Sequence, residues 1–358
     1  MVLILLATIL ILAIAFFQVT QGFYSATIMV VLSVLSAAVA FHLYEPLATL
    51  LTPYQPAAAD AIALLAIFVI LLLGLRLAID YFFKRNVVMG VWVDRIGGGI
   101  AGVLAGMTLV GVLTVAIQML PWGPSILGYR PFDDSLHRYS RLYLFAPDDF
   151  VVGIIKTLSD PNHGSLAGAS TGGFVRAHDD LLLELFCARN TAGRNGRTDA
   201  EAGSLSVGSA YTSEGSSWGG DVPADPRLGE QVTKVVVVRT SVDRGAADKD
   251  GWWRLPATHF RLVSDSGRSY YPVGYMIRSA TGLACVPAPS EEGRLQVAQL
   301  IVEHQAGGNK TIAIDWAFRL LPQDAPTTLV FRRRCQAAVP KPSSRSPDLT
   351  GGLASPSH

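Results

Sequence analysis

An α+β multidomain chain, with a four-helix membrane region followed by a small all-β sandwich, is the fold class the sequence predicts, on three observations. Up to Leu120 the chain is a series of apolar runs of membrane-spanning length, whereas beyond it charged and turn-forming residues return at ordinary soluble density. The last of those runs, Val93–Gln118, carries glycine at every fourth position, Gly98, Gly102 and Gly106, with Ala101 and Ala105 beside them. From Gln231 onward, short β-rich runs follow one another at even spacing without intervening helices, the pattern of a sandwich. The whole-chain averages, 16% charged residues and a mean hydropathy of +0.36, blur these two unlike halves.

Taken in order, Met1–Val19 is apolar but lacks the basic start and small-residue cleavage site of a secretory signal, and further spans follow directly. It reads as a retained first transmembrane helix. Thr20, Gln21 and Gly22 make a short polar break before the second run, Phe23–Phe41, whose Ser25, Ser33, Ser36 and alanines suit close helix contact. His42–Ala57 reads as an interfacial loop, because Pro46, Pro53 and Pro56 oppose a regular helix. Asp60 stands where an N-cap or first-turn acid opens the third span, Ala61–Phe83. In the fourth span the small residues leave one face nearly bare, so another backbone can approach closely. The expected partners are therefore the lipid bilayer and a protein, or a second copy, meeting the glycine face.

Orientation follows from the basic residues. Lys84, Arg85 and Arg95 lie in and beside the link between the third and fourth spans, whereas the two earlier links have neither lysine nor arginine. The positive-inside rule places that link in the cytoplasm, and with four spans the N-terminus and everything after Leu120 face outward. Arg76 and Asp80 fall four residues apart near the end of the third span. They read either as a snorkelling pair at the interface or as an intramembrane pair on a substrate or proton path.

The four-span layout, Gly22 after the first helix, and Asp94-Arg95 leading into Gly98, Gly102 and Gly106 resemble the colicin V production protein family of bacterial inner-membrane proteins. The resemblance covers roughly the first third of the chain. It implies a membrane protein linked to toxin production or export, with no established catalytic reaction. Some membrane proteins resembling this family carry an outward serine protease domain on the same base, which makes a His, Asp, Ser triad the one to seek.

After the membrane region (1–121) come a bridging region (122–190), a linker (191–230), the β-sandwich (231–335) and a Pro- and Ser-rich disordered tail (336–358). The bridge holds two short helices. Pro147 with Asp148 and Asp149 opens Phe150–Leu158, and the second helix runs over Ala177–Arg189. Residues 191–220 are so rich in Gly, Ser and Asn that they read as a flexible linker. Strands are expected at Lys234–Val242, His259–Val263, Tyr270–Val273, Leu295–His304, Thr311–Phe318 and Thr327–Arg332, with Trp252, Trp253 and Trp316 as the heavy core or groove residues; the arrangement resembles the immunoglobulin-like modules of bacterial surface proteins.

Few residues point to chemistry. Cys187, Cys285 and Cys335 show no CxxC or CxxH spacing, so no metal is assigned, and they read either as a Cys285–Cys335 bridge with Cys187 left over or as three thiols. Gly168–Gly172 spells GxSxG without the strand and helix a nucleophile elbow needs. Ser264-Asp265-Ser266-Gly267 is followed by Arg268 where a serine protease needs glycine, and His259 lies too near in sequence for a two-barrel triad. A net charge of +1 and the lack of a basic, aromatic-interleaved stripe exclude nucleic acid as a partner. The reading is a non-enzymatic inner-membrane scaffold or sensor without cofactor or catalytic residues. A channel or transporter component is the alternative, and a membrane-anchored hydrolase stands behind both.

Overall fold

The computed structural model describes residues 2–82, 90–133, 136–138, 146–159, 178–190, 197–201, 203–213, 222–229, 231–248, 250–279, 282–287, 290–291, 294–295, 301–305, 310–345 and 347. The chain forms two compact units, Met1–Arg130 with Ser140–Leu182 and Pro131–Tyr139 with Leu183–His358. Four helices long and apolar enough to cross a membrane open it: α1 (Val2–Gln21), α2 (Phe23–Leu51), α3 (Ala59–Phe82) and α4 (Val91–Gln118). Their outward side chains are apolar, among them Phe16, Ile70, Leu77 and Ile100, the inverse of a water-soluble bundle. In α1 only Leu3, Ile11, Ala15 and Gln18 are buried, a single stripe at helical spacing.

The predicted loop after Phe41 is a correction. Helix α2 continues through Pro46 to Leu51. Proline removes one backbone bond, but Tyr44 and Ala48 stay on the buried face, and the Thr49 and Thr52 hydroxyls donate to the carbonyls of Pro46 and Ala48. A membrane helix tolerates proline on such terms. The other prolines, Pro53 and Pro56, come after its end, as their geometry requires.

Helix α5 (Pro147–Ser159) starts where proline and two acids predict it, with Pro147 at the position whose N–H has no intrahelical partner. It packs against α4 so closely that a Cβ on Gly111 would run into the Pro147 carbonyl and Val151. Helix α6 spans Leu181–Arg189.

The β-rich unit contains β1 (Leu205–Thr212), β2 (Lys234–Asp243), β3 (Trp252–Pro256), β4 (Phe260–Ser264), β5 (Ser269–Tyr270), β6 (Gly274–Ser279), β7 (Gly282–Pro287), β8 (Ser290–Glu291), β9 (Arg294–Leu295), β10 (Ile301–Gln305), β11 (Thr311–Leu320), β12 (Pro326–Phe331) and β13 (Cys335–Ala338). Two antiparallel sheets carry it, ordered β1-β2-β11-β6-β7 and β13-β12-β4-β5, with two-stranded ribbons β3–β10 and β8–β9. Phe260 joins the sheets: its ring lies 4.7 Å from Trp316 of the first and 4.7 Å from Phe331 of its own. Trp253 and Trp316 are fully buried as expected, whereas Trp252 is 37% exposed.

Two boundaries differ from the sequence reading. Strand β1 lies inside the segment taken as linker, paired with β2 from Leu205↔Val242 to Thr212↔Val236. The assigned tail also begins inside β13, and beyond it Ser343 exchanges backbone bonds with β1 through Ala210 O and Thr212 N–H. Small residues that cannot order themselves are ordered here by pairing with Val-rich β2.

Candidate functional site

Polar side chains gather at both ends of the helical unit. At the end where α1 and α3 finish and α2 and α4 begin, Gly22 is the single residue between α1 and α2, and its φ of 90° is one that L side chains rarely adopt. Glycine cannot cap the helix it precedes. The Asp94 carboxylate of α4 does so instead, accepting from the Phe23 backbone N–H at 3.4 Å, where the positive end of the α2 dipole favours a carboxylate. The two residues of the glycine and Asp-Arg motif thus meet as a turn and its cap. Arg95 is exposed and has no hydrogen-bond or ion-pair partner among the described residues.

Arg76 and Asp80 pair on α3, Nε to Oδ2 at 3.1 Å. Arg76 also donates from Nη2 to Ser25 Oγ (3.2 Å) on α2, and Ser25 donates to Gln21 Oε1 (3.0 Å) on α1. A polar chain therefore links three helices near one end of the bundle. Lys84 and Arg85 of the adjoining link lie outside the described residues.

The glycine face does admit another backbone, and that backbone is α1. A Cβ on Gly102 would stand 2.8 Å from Ala15 Cα, one on Gly106 3.2 Å from Ile11 O, and one on Gly98 3.3 Å from Gln18 O. Ala101 and Ala105 are buried alongside. Within the chain this face is therefore occupied by α1.

At the opposite end, Glu45 Oε1 lies 3.0 Å from His178 Nε2, with the Tyr44 hydroxyl 3.4 Å from that nitrogen. His42 Nε2 lies 3.2 Å from Ser159 Oγ and its Nδ1 2.7 Å from Ala38 O. Asp148, with 1% of its surface exposed, accepts from Tyr129 OH (2.7 Å) and Gln118 Nε2 (3.0 Å) and, through Oδ1, from the Asp149 N–H (3.0 Å). Sequence reasoning took Asp148 only as a helix-start acid and did not single out Gln118, Tyr129, Ser159 or His178. One available signal was Gln118, an amide ending an otherwise apolar helix.

In the β-rich unit the groups considered for hydrolysis are committed elsewhere. Ser264 is buried in the β4–β5 turn, where its Oγ lies 2.9 Å from Ser266 Oγ and 3.5 Å from Asp324 Oδ2. Tyr270 donates to the same carboxylate at 2.5 Å, and burial followed by that bond pushes its hydroxyl pKa up to about 12. His259, at the other end of β4, is buried beside Arg332, and its Nδ1 accepts from Arg332 Nε at 3.3 Å. Burial, then the guanidinium, holds its pKa well below 6.5. Arg332 also donates to the carbonyls of Ala246 (2.8 Å), Asp199 (3.3 Å) and Arg254 (3.3 Å) and faces Asp248 at 3.6 Å. Its own pKa falls to about 10, burial outweighing Asp248. No disulfide joins Cys285 and Cys335: Cys285 is on edge strand β7, whereas Cys335 opens β13 of the other sheet and donates to Glu201 O. Gly168–Gly172 lies outside the described residues.

Four membrane-length helices with an interhelical cap, followed by a separate β-rich domain, define a multi-pass membrane protein with an appended folded unit. Residues 3–143, which hold the four membrane-length helices, match the family described as Colicin V production protein. The β-rich strands lie beyond the match. Comparison with curated proteins and with solved structures gave no match.

Proposed function

We propose that the protein is a non-enzymatic scaffold or sensor of the inner membrane, which holds its β-domain on the extracytoplasmic side and serves envelope assembly or toxin secretion. The observation that carries this reading is the commitment of Ser264 and His259 to structural bonds, the first in a turn and the second to the buried Arg332. The family match supports the link to toxin production, and the basic residues Lys84, Arg85 and Arg95 support the orientation. A protein partner would engage a surface other than the glycine face, which α1 fills. The tests expose the purified full-length protein to a fluorophosphonate serine probe, and intact spheroplasts that carry it to a membrane-impermeant thiol reagent. No serine labelling is expected. Cys285 and Cys335 are expected to react without lysis, after mild denaturation. Labelling of Ser264, or thiol reaction only after lysis, defeats the activity or the topology respectively.

A transporter component is the second reading, favoured by the Gln18 and Ser36 oxygens, which are buried in the bundle without a hydrogen-bond partner among the described residues, and by the reach of Arg76 across to α2. Replacing Arg76 and Asp80 together by leucine distinguishes the two. A scaffold keeps its phenotype at normal protein level, whereas a transport path through the pair does not.

A further inference from the structure

We propose that Arg95 binds the phosphate of an anionic phospholipid, so that the Asp-Arg motif divides its labour: Asp94 caps a helix inside the protein and Arg95 holds the protein to its lipid. Four observations lead there. Trp92, Ile96 and Ile100 follow one another at helical spacing and are 78%, 58% and 62% exposed, so this side of α4 is apolar and faces away from the helix partners gathered on the Gly98–Gly102–Gly106 side. Arg95 falls on the glycine side by helical spacing, one turn before Gly98 and so at the level where α1 ends, and there it is exposed and without a partner among the described residues. Of the carboxylates at this end, Asp94 is bonded to the start of α2 and Asp80 to Arg76.

Depth supplies the fourth. The uncharged stretch from Ile96 to Ile117 extends about 33 Å at ~1.5 Å per residue, close to the ~30 Å of a bilayer's hydrocarbon, which places Arg95 at headgroup level. Exposed aromatic rings at the same end, Trp92 on α4 with Tyr81 and Phe82 on α3, have the amphipathic and bulky character of an interfacial belt. A guanidinium at that level matches a phosphate with paired N–H donors. The neighbouring sequence adds Lys84 and Arg85 and so favours a lipid of net negative charge over a zwitterionic one.

The experiment is native mass spectrometry of the full-length protein released from mild detergent, after incubation with phosphatidylglycerol or with phosphatidylcholine of the same acyl chains. The wild type is expected to retain phosphatidylglycerol preferentially. Arg95→Gln is expected to lower that retention about fivefold, the effect of one interfacial basic residue, with phosphatidylcholine retention unchanged, and Arg95→Lys to keep most of it. Equal phosphatidylglycerol retention by the wild type and Arg95→Gln overturns the proposal. So does a loss of both lipids together, or a loss in Arg95→Lys as large as in Arg95→Gln with lower helix content, since either marks Arg95 as structural.

Discussion

Arg332 persists in the interior because its guanidinium is satisfied by three carbonyls, the His259 ring and the Asp248 carboxylate. Removing it takes away the donor to the buried Ala246 carbonyl and to the His259 ring, and one of the cations facing Asp248. Arg332→Ala is therefore expected to cost about 3–5 kcal/mol, read as a shift in the urea midpoint of amide exchange in β2 and β11. The neighbouring His259 sets a pH dependence. Its folded pKa lies below the ordinary 6.5, so the folded state stays neutral while the unfolded chain takes up a proton as the pH falls. Its contribution is complete above about pH 6.5 and declines below, by at most ~1.4 kcal/mol per pH unit. Asp248, whose pKa burial raises, acts with the opposite sign, but only lower, near the carboxylate range. His259→Asn keeps an acceptor for Arg332 Nε without the titration, and the same exchange measurement is expected to show a flatter profile from about pH 6.5 to 5. None of this was legible in the sequence. Asp199, Ala246, Asp248, Arg254, His259 and Arg332 follow no period, and only the closed fold brings them to one point.

Helices were far more legible, because burial in lipid repeats with the turn of the helix. The glycine spacing in α4 announced a close backbone contact, and the Pro-Asp-Asp start of α5 announced its first turn. What the spacing could not say was whose backbone would arrive. It proves to be α1, reached through a one-residue turn at Gly22. This contact gives a matched pair of predictions. A methyl at Gly102 meets Ala15 Cα at 2.8 Å, backbone that cannot step aside, whereas a methyl at Gly74 in α3 meets nothing within 4 Å among the described residues. Gly102→Ala is expected to lower thermal stability in detergent by the 1–3 kcal/mol typical of overpacking, and Gly74→Ala to leave it unchanged or raise it by up to ~1 kcal/mol through helix propensity. Asp94→Ala removes the cap of α2 and is expected to cost about 0.5–2 kcal/mol, seen as faster amide exchange in the first turn of α2. Pro46 misled the reading of α2 because proline is judged by local backbone cost, and here the burial of Tyr44 and Ala48 outweighs that cost.

For the molecule as a whole, the sequence located the change from membrane to β-rich chain but misplaced the border of the second unit. Composition made 191–230 a linker, since LSVGSAYT in β1 offers little apolar alternation, and its order comes from distant pairing with β2 and Ser343. The unit also reaches back to α6, where Glu184 pairs with Arg261 at 2.5 Å, and to Asp199, one of the acceptors of Arg332. A fragment cut at Gln231 would lose the ladder along one edge of β2, strand Lys234–Asp243, leaving it an open edge of unpaired backbone groups. It would also leave the Arg261 guanidinium, whose side chain is 11% exposed in the intact unit, without its carboxylate. Such a fragment is expected to aggregate on expression or to unfold without a cooperative transition. The fragment Leu183–His358 keeps β1, Asp199 and Glu184, and is expected to stay monomeric and to unfold cooperatively, followed by the fluorescence of the fully buried Trp253 and Trp316. Equal behaviour of the two fragments would mean that β1 and α6 only decorate a domain complete without them. A cooperative transition confined to the longer one would show that the stretch resembling a tether closes the fold.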